Sequence, residues 1–289
     1  MSIKLTNVSH IYMPGTPYEH TALKDINLEI RQGEFVAVIG HTGSGKSTLM
    51  QHLNGLLKPA AGQVLVDGID INVKGTQAKQ ARLRVGMVFQ YPEHQLFEET
   101  IAADIAFGPR NLGLPEEEID SRVRAAMEFA GLDYDKFAAR SPFQLSGGQM
   151  RRVAIAGVIA LKPEYLVLDE PSAGLDPRGR DEILNQVANL HKNTGVTVIL
   201  VSHSMEEVAR LADRLLVMNQ GDVVLDGEPL TIFNNHREEL LAAGLDVPNV
   251  TALLSYLRGR GLPVSDNALT IEEAAERVFE AVRRRAHAE

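Results

Sequence analysis

One short segment of the chain combines glycine, lysine and serine at the spacing needed to bind phosphate. It follows an apolar run, Phe35 to Ile39, and precedes a stretch with leucines at helical spacing. Glycines let the backbone wrap a phosphate with its amides pointing inward, lysine reaches the β and γ phosphates, and serine ligates Mg²⁺. The segment therefore predicts a nucleoside triphosphate site at Gly40, His41, Thr42, Gly43, Ser44, Gly45, Lys46, Ser47 and Thr48.

Two adjacent carboxylates end a second apolar run and supply the other half of such a site. Asp169 and Glu170 follow the run Tyr165 to Leu168. A carboxylate at this kind of strand end holds the Mg²⁺ shell, which assigns Asp169 to the metal together with Ser47. One carboxylate serves poorly as both metal ligand and base, so we predict that Glu170 orients or deprotonates the attacking water.

A second helix amino terminus suited to an anion lies further along the chain. Ser146 and Gln149, three residues apart, fit a capping box, and the glycines between them leave backbone amides open. The whole segment is Leu145, Ser146, Gly147, Gly148 and Gln149. Because the chain already has one anion site, two such sites for one nucleotide suggest a dimer. In that dimer each subunit's Ser146 segment closes on the phosphate loop of the other.

A histidine stands just beyond a third apolar run. His203 follows Val196 to Val201 and precedes Ser204 to Glu207, which has a second capping-box pattern. Ligands of α/β proteins bind at such strand ends, and we therefore include His203 in the predicted site. The other histidines lack a strand-end setting of this kind, and we interpret them as ordinary polar positions.

The elements that must position these residues follow an α/β pattern. Helix-like and strand-like runs alternate over 146–225, which is typical of a parallel sheet. Short β-rich runs dominate 3–89, with one helical stretch at 45–56. The parts at about 91–144 and after 227 are helical in pattern. We predict an α/β domain at 1–227 with a helical subdomain inserted at about 91–144, and a helical appendage at 228–289.

Composition limits the class of protein. The chain has 289 residues and 44% apolar content, which excludes a disordered protein. Its formal charge of -9 is the wrong sign for binding nucleic acid through a broad basic field, and we expect no nucleic-acid partner. The absence of cysteine excludes disulfides and thiolate zinc sites. No signal peptide or apolar run of spanning length is evident, so a membrane role requires a partner.

Taken together, these elements resemble those of the ATP-binding cassette (ABC) ATPases, in the same order along the chain. They are residues 40–47, Gln90, 145–149, 165–170, 172–176 and His203. The resemblance implies an ABC ATPase core with an antiparallel β subdomain, ATP and Mg²⁺ as ligands, and hydrolysis by in-line attack of water. It further implies that Gln90 contacts Mg²⁺ and couples to a transport partner. Asp176 is then the D-loop aspartate, and His203 lies beside the γ phosphate.

The same resemblance implies an aromatic side chain that stacks on adenine. A flat apolar ring supplies affinity with little specificity for the base. Tyr12 fits this role. Tyr18 is the competing choice, because residues 13–19 lengthen the usual spacing to the phosphate loop. We predict Tyr12.

Two adjoining stretches narrow the resemblance. Residues 90–100 and 104–111 are similar to those of the ATPases of energy-coupling-factor (ECF) vitamin and metal importers, and most like the second of the two ATPase subunits. The loop Pro14 to Pro17 and the helical tail agree with this. The resemblance implies a peripheral protein at the cytoplasmic face of the cell membrane, bound to a transmembrane scaffold (T component) and a substrate-binding S component.

In that family the tail helps two ATPases to stay paired. Resemblance to the second subunit favours a heterodimer with a related ABC ATPase, and a homodimer stays open. The acidic segment near Glu93, Glu98 and Glu99 is expected beside the groove that receives the coupling helices of the membrane partner. Because no motif is degenerate, we expect the chain to contribute a competent set of residues to both composite sites.

Two other classes of protein remain as alternatives. A soluble ABC ATPase clamp that acts on ribosomes or DNA would share the nucleotide chemistry. Ribosome-acting members resemble two cassettes in one chain and DNA-repair members insert long coiled coils, whereas this sequence has one phosphate loop and no such insertion. ATPases of sugar importers resemble the core but carry a larger β-rich carboxy-terminal domain. The sequence does not identify the cargo, because substrate choice would lie in another polypeptide.

Overall fold

The strands form two sheets that meet around the phosphate loop. The computed structural model describes residues 1–286, and its strands are β1 (Ser2–Tyr12), β2 (His20–Arg31), β3 (Phe35–Ile39), β4 (Ala61–Val66), β5 (Ile69–Asp70), β6 (Val85–Val88), β7 (Tyr165–Asp169), β8 (Thr197–Val201), β9 (Arg214–Asn219) and β10 (Asp222–Gly227). One sheet is antiparallel, in the order β2-β1-β4-β5. The central sheet has the order β10-β9-β3-β8-β7-β6 and is parallel except for the β9–β10 hairpin.

The central sheet brings the predicted site residues to one edge. Every residue of β3, β7 and β8 is buried, as expected for parallel strands covered on both faces. Because these neighbouring strands run in the same direction, their carboxyl ends lie side by side. The phosphate loop, the Asp169–Glu170 pair and His203 therefore share that edge.

The helices cover both faces of this sheet and build the insert. They are α1 (Lys46–Leu53), α2 (Thr76–Leu83), α3 (Ile101–Asn111), α4 (Glu116–Phe129), α5 (Tyr134–Phe137), α6 (Gly147–Ile159), α7 (Pro177–Thr194), α8 (Met205–Leu211), α9 (Pro229–Asn235), α10 (Arg237–Ala242), α11 (Asn249–Gly259) and α12 (Ile271–Ala286). α3, α4 and α6 share a buried apolar cluster that includes Ile105, Met127 and Val153. α6 also reaches the central sheet, since Ile155 packs with Leu166 of β7.

The segment after β10 is helical, and its two parts pack differently. Phe233 of α9 and Leu240 of α10 join a buried cluster with Ile39 and Val217 of the central sheet. α11 and α12 form a separate cluster around Leu254. The division of the chain at residue 227 remains a prediction. Ala252 of α11 also packs against the first of these clusters. Residues 287–289 of the predicted appendage lie outside the described residues.

The expected α/β core, antiparallel subdomain, helical insert and helical tail are confirmed. The sequence interpretation missed α2, which lies within the part interpreted as β-rich. α2 begins after Gly75 and buries only Ala78 and Ala81, so it lacks the broad apolar stripe that predicts a helix. Within residues 1–286, no helix combines the length and the apolar character required to cross a membrane.

Candidate active site

The phosphate loop joins the end of β3 to the start of α1. Gly45 has a φ of 106°, and a Cβ placed on it would lie 2.6 Å from the Ala22 carbonyl oxygen, so only glycine fits there. Lys46 Nζ donates to the carbonyl oxygens of Gly40 at 2.7 Å and His41 at 3.0 Å. Burial lowers the pKa of Lys46, while Glu170 and Asp169 act to raise it. The loop therefore holds a partly desolvated ammonium group where the phosphates are expected.

Asp169 provides the carboxylate that a divalent cation requires. Its side chain is buried, and Oδ1 has no hydrogen-bond partner within residues 1–286. Burial raises the pKa of Asp169 and Glu170 adds to this, whereas Ser47 and Lys46 oppose it. A buried carboxylate oxygen without a donor, close to the Ser47 hydroxyl, suits an oxygen-ligated cation such as Mg²⁺. The residues present therefore fit the predicted metal.

Gln90 and His203, from two separate segments, meet at the carboxylate of Glu170. Gln90 Nε2 donates to Glu170 Oε2 at 3.0 Å, and His203 Nε2 lies 2.6 Å from Glu170 Oε1. Glu170 itself is in the left-handed region, with a φ of 51°. Its side chain is 18% exposed and that of His203 is 48% exposed, so water reaches this end of the site. The structure thus brings together Gln90, Glu170 and His203 as the sequence predicts.

A carboxylate that sequence reasoning missed lies behind this group. The capping box predicted at Ser204–Glu207 was wrong in part. Glu207 N donates to Ser204 Oγ at 3.3 Å, but the Glu207 side chain turns inward. There it accepts from Ser202 Oγ at 2.5 Å and from Ser172 Oγ at 3.1 Å. Glu207 therefore ties the segment after Glu170 to the segment that carries His203.

The Ser146 segment forms the capped helix start that the sequence predicts. Gln149 N donates to Ser146 Oγ at 3.3 Å, and Ser146 N donates to Gln149 Oε1 at 3.0 Å, which completes the capping box. Asp176 caps α7 and lies with Ser146, Gly148 and Gln149 around one open hollow of about 430 Å³. Within residues 1–286 this lining includes neither the phosphate loop nor Glu170. The structure therefore does not bring the Ser146 segment and Lys46 together within one chain.

The two candidate tyrosines lie in different settings. The hydroxyl of Tyr12, at the end of β1, is 3.2 Å from Thr48 Oγ1, so its ring lies against the start of α1. Tyr18 is 78% exposed in the turn between β1 and β2. Two histidines interpreted as ordinary polar positions are in fact buried: the His10 ring packs edge-on between Tyr12 and His52, at 4.5 and 4.8 Å. Burial lowers the pKa of His52, which favours its neutral form.

The acidic segment after Gln90 does not form one solvated surface. Glu99 is exposed, but the Glu93 carboxylate accepts two hydrogen bonds from Arg151 of α6. Arg151 was not singled out from the sequence. A charged residue five positions beyond Ser146 looks like any surface arginine until the fold is known.

The architecture and this site define the class of protein: an ATPase with a phosphate loop and a second, separate capped helix start. A family model described as "ABC transporter" matches residues 23–173. A Clostridium tetani protein named "Energy-coupling factor transporter ATP-binding protein EcfA2" is 58% identical over 279 residues, which is 96% of each chain. A Clostridium perfringens protein of the same name is 58% identical over 98% of this chain and 99% of its own.

Solved structures agree with these relatives. The structure of cbiO1 from Clostridium perfringens, described as part of the ABC transporter complex cbiONQ, has a TM-score of 0.73 and 38% identity over 88% of this chain and 98% of its own. The dimeric ATP-binding cassette MJ0796 bound to ADP and Pi has a TM-score of 0.70 and 32% identity over 78% of this chain and 98% of its own. This chain therefore belongs to the ABC transporter family, among the ATP-binding proteins of the energy-coupling factor type. It binds ATP and hydrolyses it.

Proposed function

We propose that this ATPase powers an ECF importer that moves a vitamin or a transition-metal ion through a membrane partner. Two MgATP molecules would be enclosed between this chain and a second, related ABC ATPase. The observation that carries the proposal is the meeting of Gln90, Glu170 and His203 beside the phosphate loop. Hydrolysis at that point would move the membrane partner, since Gln90 begins the segment expected to contact it.

The proposed mechanism assigns one task to each group. Backbone amides of residues 40–48 and the Lys46 ammonium bind and orient the phosphates. Ser47, Asp169 and Gln90 would hold Mg²⁺, which when bound neutralises phosphate charge. Glu170 accepts the proton of the attacking water, and His203 sits against the Glu170 carboxylate, where it helps to fix that group beside the γ phosphate. The Ser146 segment, with Asp176, would donate to the nucleotide of the partner subunit.

The proposed assembly uses two further surfaces. α11 and α12 border an apolar groove of about 660 Å³ and expose Ile271 and Phe279 by 73% and 70%. Exposed apolar side chains of this size favour burial against another protein, which supports pairing of the tails in the dimer. A heterodimer is the form proposed. Phe97 and Phe107, in edge-to-face contact and both exposed, lie on the helical insert, where the T component would dock with its S component.

The experiment that tests this proposal is purification of the chain from its native membranes in mild detergent, followed by identification of the bound proteins. We expect a related ATPase, a transmembrane scaffold and small substrate-binding membrane proteins, which would place the chain at the cytoplasmic face of the membrane. Recovery with ribosomes or DNA and without membrane proteins would leave the ATPase chemistry intact and support the soluble clamp instead.

The contact of Tyr12 with Thr48 favours Tyr12 as the residue that stacks on adenine, and a pair of variants separates it from Tyr18. Tyr12→Ala is expected to weaken ATP binding about tenfold, because it removes one stacked aromatic surface worth about 1.5 kcal/mol. Tyr18→Ala is the matched control and is expected to leave binding unchanged. The measurement is titration with a fluorescent ATP analogue. The opposite ranking of the two variants would transfer the role to Tyr18.

A further inference from the structure

A buried arginine lies in the first turns of α6, just beyond the Ser146 segment. The Arg151 side chain is 3% exposed. A buried guanidinium is costly unless its donors are matched by acceptors. All three nitrogens of the Arg151 guanidinium donate hydrogen bonds, and within residues 1–286 none of these bonds goes to the phosphate loop or to the expected metal ligands. Its partners show what it connects.

The partners of Arg151 come from two segments. Nε and Nη2 donate to the two carboxylate oxygens of Glu93, at 2.9 and 2.7 Å, in a bidentate pair. Nη1 donates to the backbone carbonyl oxygens of Pro171, at 3.3 Å, and of Ala173. Bidentate geometry of this kind fixes orientation as well as distance. The Glu93 side chain is only 14% exposed, so the pair is poorly screened by water.

These two segments also carry Gln90 and Glu170, which meet at the site. Glu93 lies in the short 3-10 helix Pro92–Gln95, three positions after Gln90. Pro171 and Ala173 lie one and three positions after Glu170. Gln90 Nε2 and Glu170 Oε2 lie 3.0 Å apart, and Arg151 joins the same two segments a second time through Glu93 and the two carbonyl oxygens. α6 is therefore fixed to both.

We propose that Arg151 and Glu93 are positioning residues for ATP hydrolysis, which set the placement of the Glu170 loop relative to Gln90. The inference rests on the role proposed above for Glu170. Arg151 holds the backbone carbonyl oxygens of Pro171 and Ala173, so loss of the pair would let residues 171–173 shift and move the Glu170 carboxylate away from the attacking water. A displacement of about 1 Å at a reacting group can cost up to about a hundredfold in rate. Substrate binding at residues 40–48 would be untouched.

The test compares three single variants and one double variant of the full chain, in the complex purified from membranes. Glu93→Gln leaves a buried guanidinium without its counter-charge, and Arg151→Lys keeps the charge but loses the fork that reaches Glu93 and both carbonyls. Asp120→Asn is the matched control, since Asp120 pairs with Arg124 at 2.8 Å on the exposed face of α4, in the same helical insert. Steady-state ATPase rates, KM for ATP and Tm are measured for each.

For Glu93→Gln and Arg151→Lys we expect kcat to fall at least about tenfold while KM for ATP stays within about twofold, the pattern of a lost transition-state interaction. Asp120→Asn should match the wild type. The double variant Glu93→Gln/Arg151→Lys should lower kcat no more than the worse of its two single variants, because the two residues act as a unit. Arg151→Lys keeps the test valid if Glu93→Gln is recovered unfolded.

Three results separate this inference from the proposed function. If Glu170→Gln abolishes turnover but both Arg151→Lys and folded Glu93→Gln keep the wild-type kcat, the pair only stabilises the fold and the inference is wrong. If a lowered Tm accompanies an unchanged kcat, the same conclusion follows. If Glu170→Gln itself retains turnover, the role of Glu170 fails first, whatever the pair does.

Discussion

Glu170→Gln is expected to lower ATP turnover at least about a hundredfold, the contribution typical of a general base. The amide keeps the size of the side chain and still accepts a hydrogen bond from Gln90, so the local packing of the site is preserved. What it loses is the ability to take a proton from the attacking water. ATP binding depends on residues 40–48 and should persist, so the variant should accumulate the closed, ATP-bound dimer.

The measurement combines ATPase assays, nucleotide binding and size-exclusion chromatography with and without MgATP. Glu128→Gln is the matched control, since Glu128 is an exposed carboxylate on α4, far along the chain from the site. The control should hydrolyse ATP at the wild-type rate and show no additional dimer. Substantial hydrolysis by Glu170→Gln would remove Glu170 from the role of base.

Sequence reasoning found the parts of the site whose structure is determined by residues close together in the chain. A strand, a glycine-containing loop and a helix follow each other directly around Lys46, so their chemistry is fixed by neighbours in the chain. The Ser146–Gln149 capping box is likewise complete within four residues, and its hydrogen bonds are present. Asp169, Glu170 and His203 follow apolar strands of one parallel sheet, and such strands place their carboxyl ends at one edge.

The parts that sequence reasoning missed depend on distant partners. The Ser204–Glu207 spacing fits a capping box, yet Glu207 instead accepts from Ser202 and from Ser172, which lies 35 positions away in the chain. Arg151 and Glu93 are 58 positions apart, and their burial is decided only when α6 docks. Spacing within a helix cannot distinguish a buried charge from a solvated one, because both preserve the same periodicity.

The sequence pattern of the helices α9 to α12 likewise does not show which surface each helix packs against. Helical patterns continue from α9 to α12, so the sequence predicts one appendage. In the structure α9 and α10 cover Ile39 and Val217 of the central sheet, whereas α11 and α12 build a second cluster around Leu254 and touch the first through Ala252. Periodicity identifies an apolar face but not the surface that will cover it. The role of α11 and α12 in pairing therefore remains a proposal that the purification experiment tests.

Lys46→Met is expected to abolish ATP-dependent stabilisation of the chain and to lower kcat/KM at least about a hundredfold, as for loss of one preorganised donor at a reacting phosphate. Without nucleotide the effect on Tm should be small. Burial lowers the pKa of Lys46, which means that the folded protein disfavours the charged amine, and methionine removes that cost. Loss of the hydrogen bonds to Gly40 and His41 acts in the opposite direction.

Thermal unfolding with and without MgATP separates these effects. At an ATP concentration of 100 times Kd, binding stabilises the wild type by about 2.7 kcal/mol, or roughly 5–10 °C in Tm for a chain of this size. Lys46→Met should lose this increase, whereas Lys79→Met, at an exposed lysine of α2, should keep it. A lowered lysine pKa destabilises the folded state at pH values below that pKa, where the amine is charged. Any gain in the nucleotide-free Tm of Lys46→Met should therefore shrink as the pH rises through the lowered pKa of Lys46. A full ATP-induced increase in Lys46→Met would show that the backbone amides alone hold the phosphates.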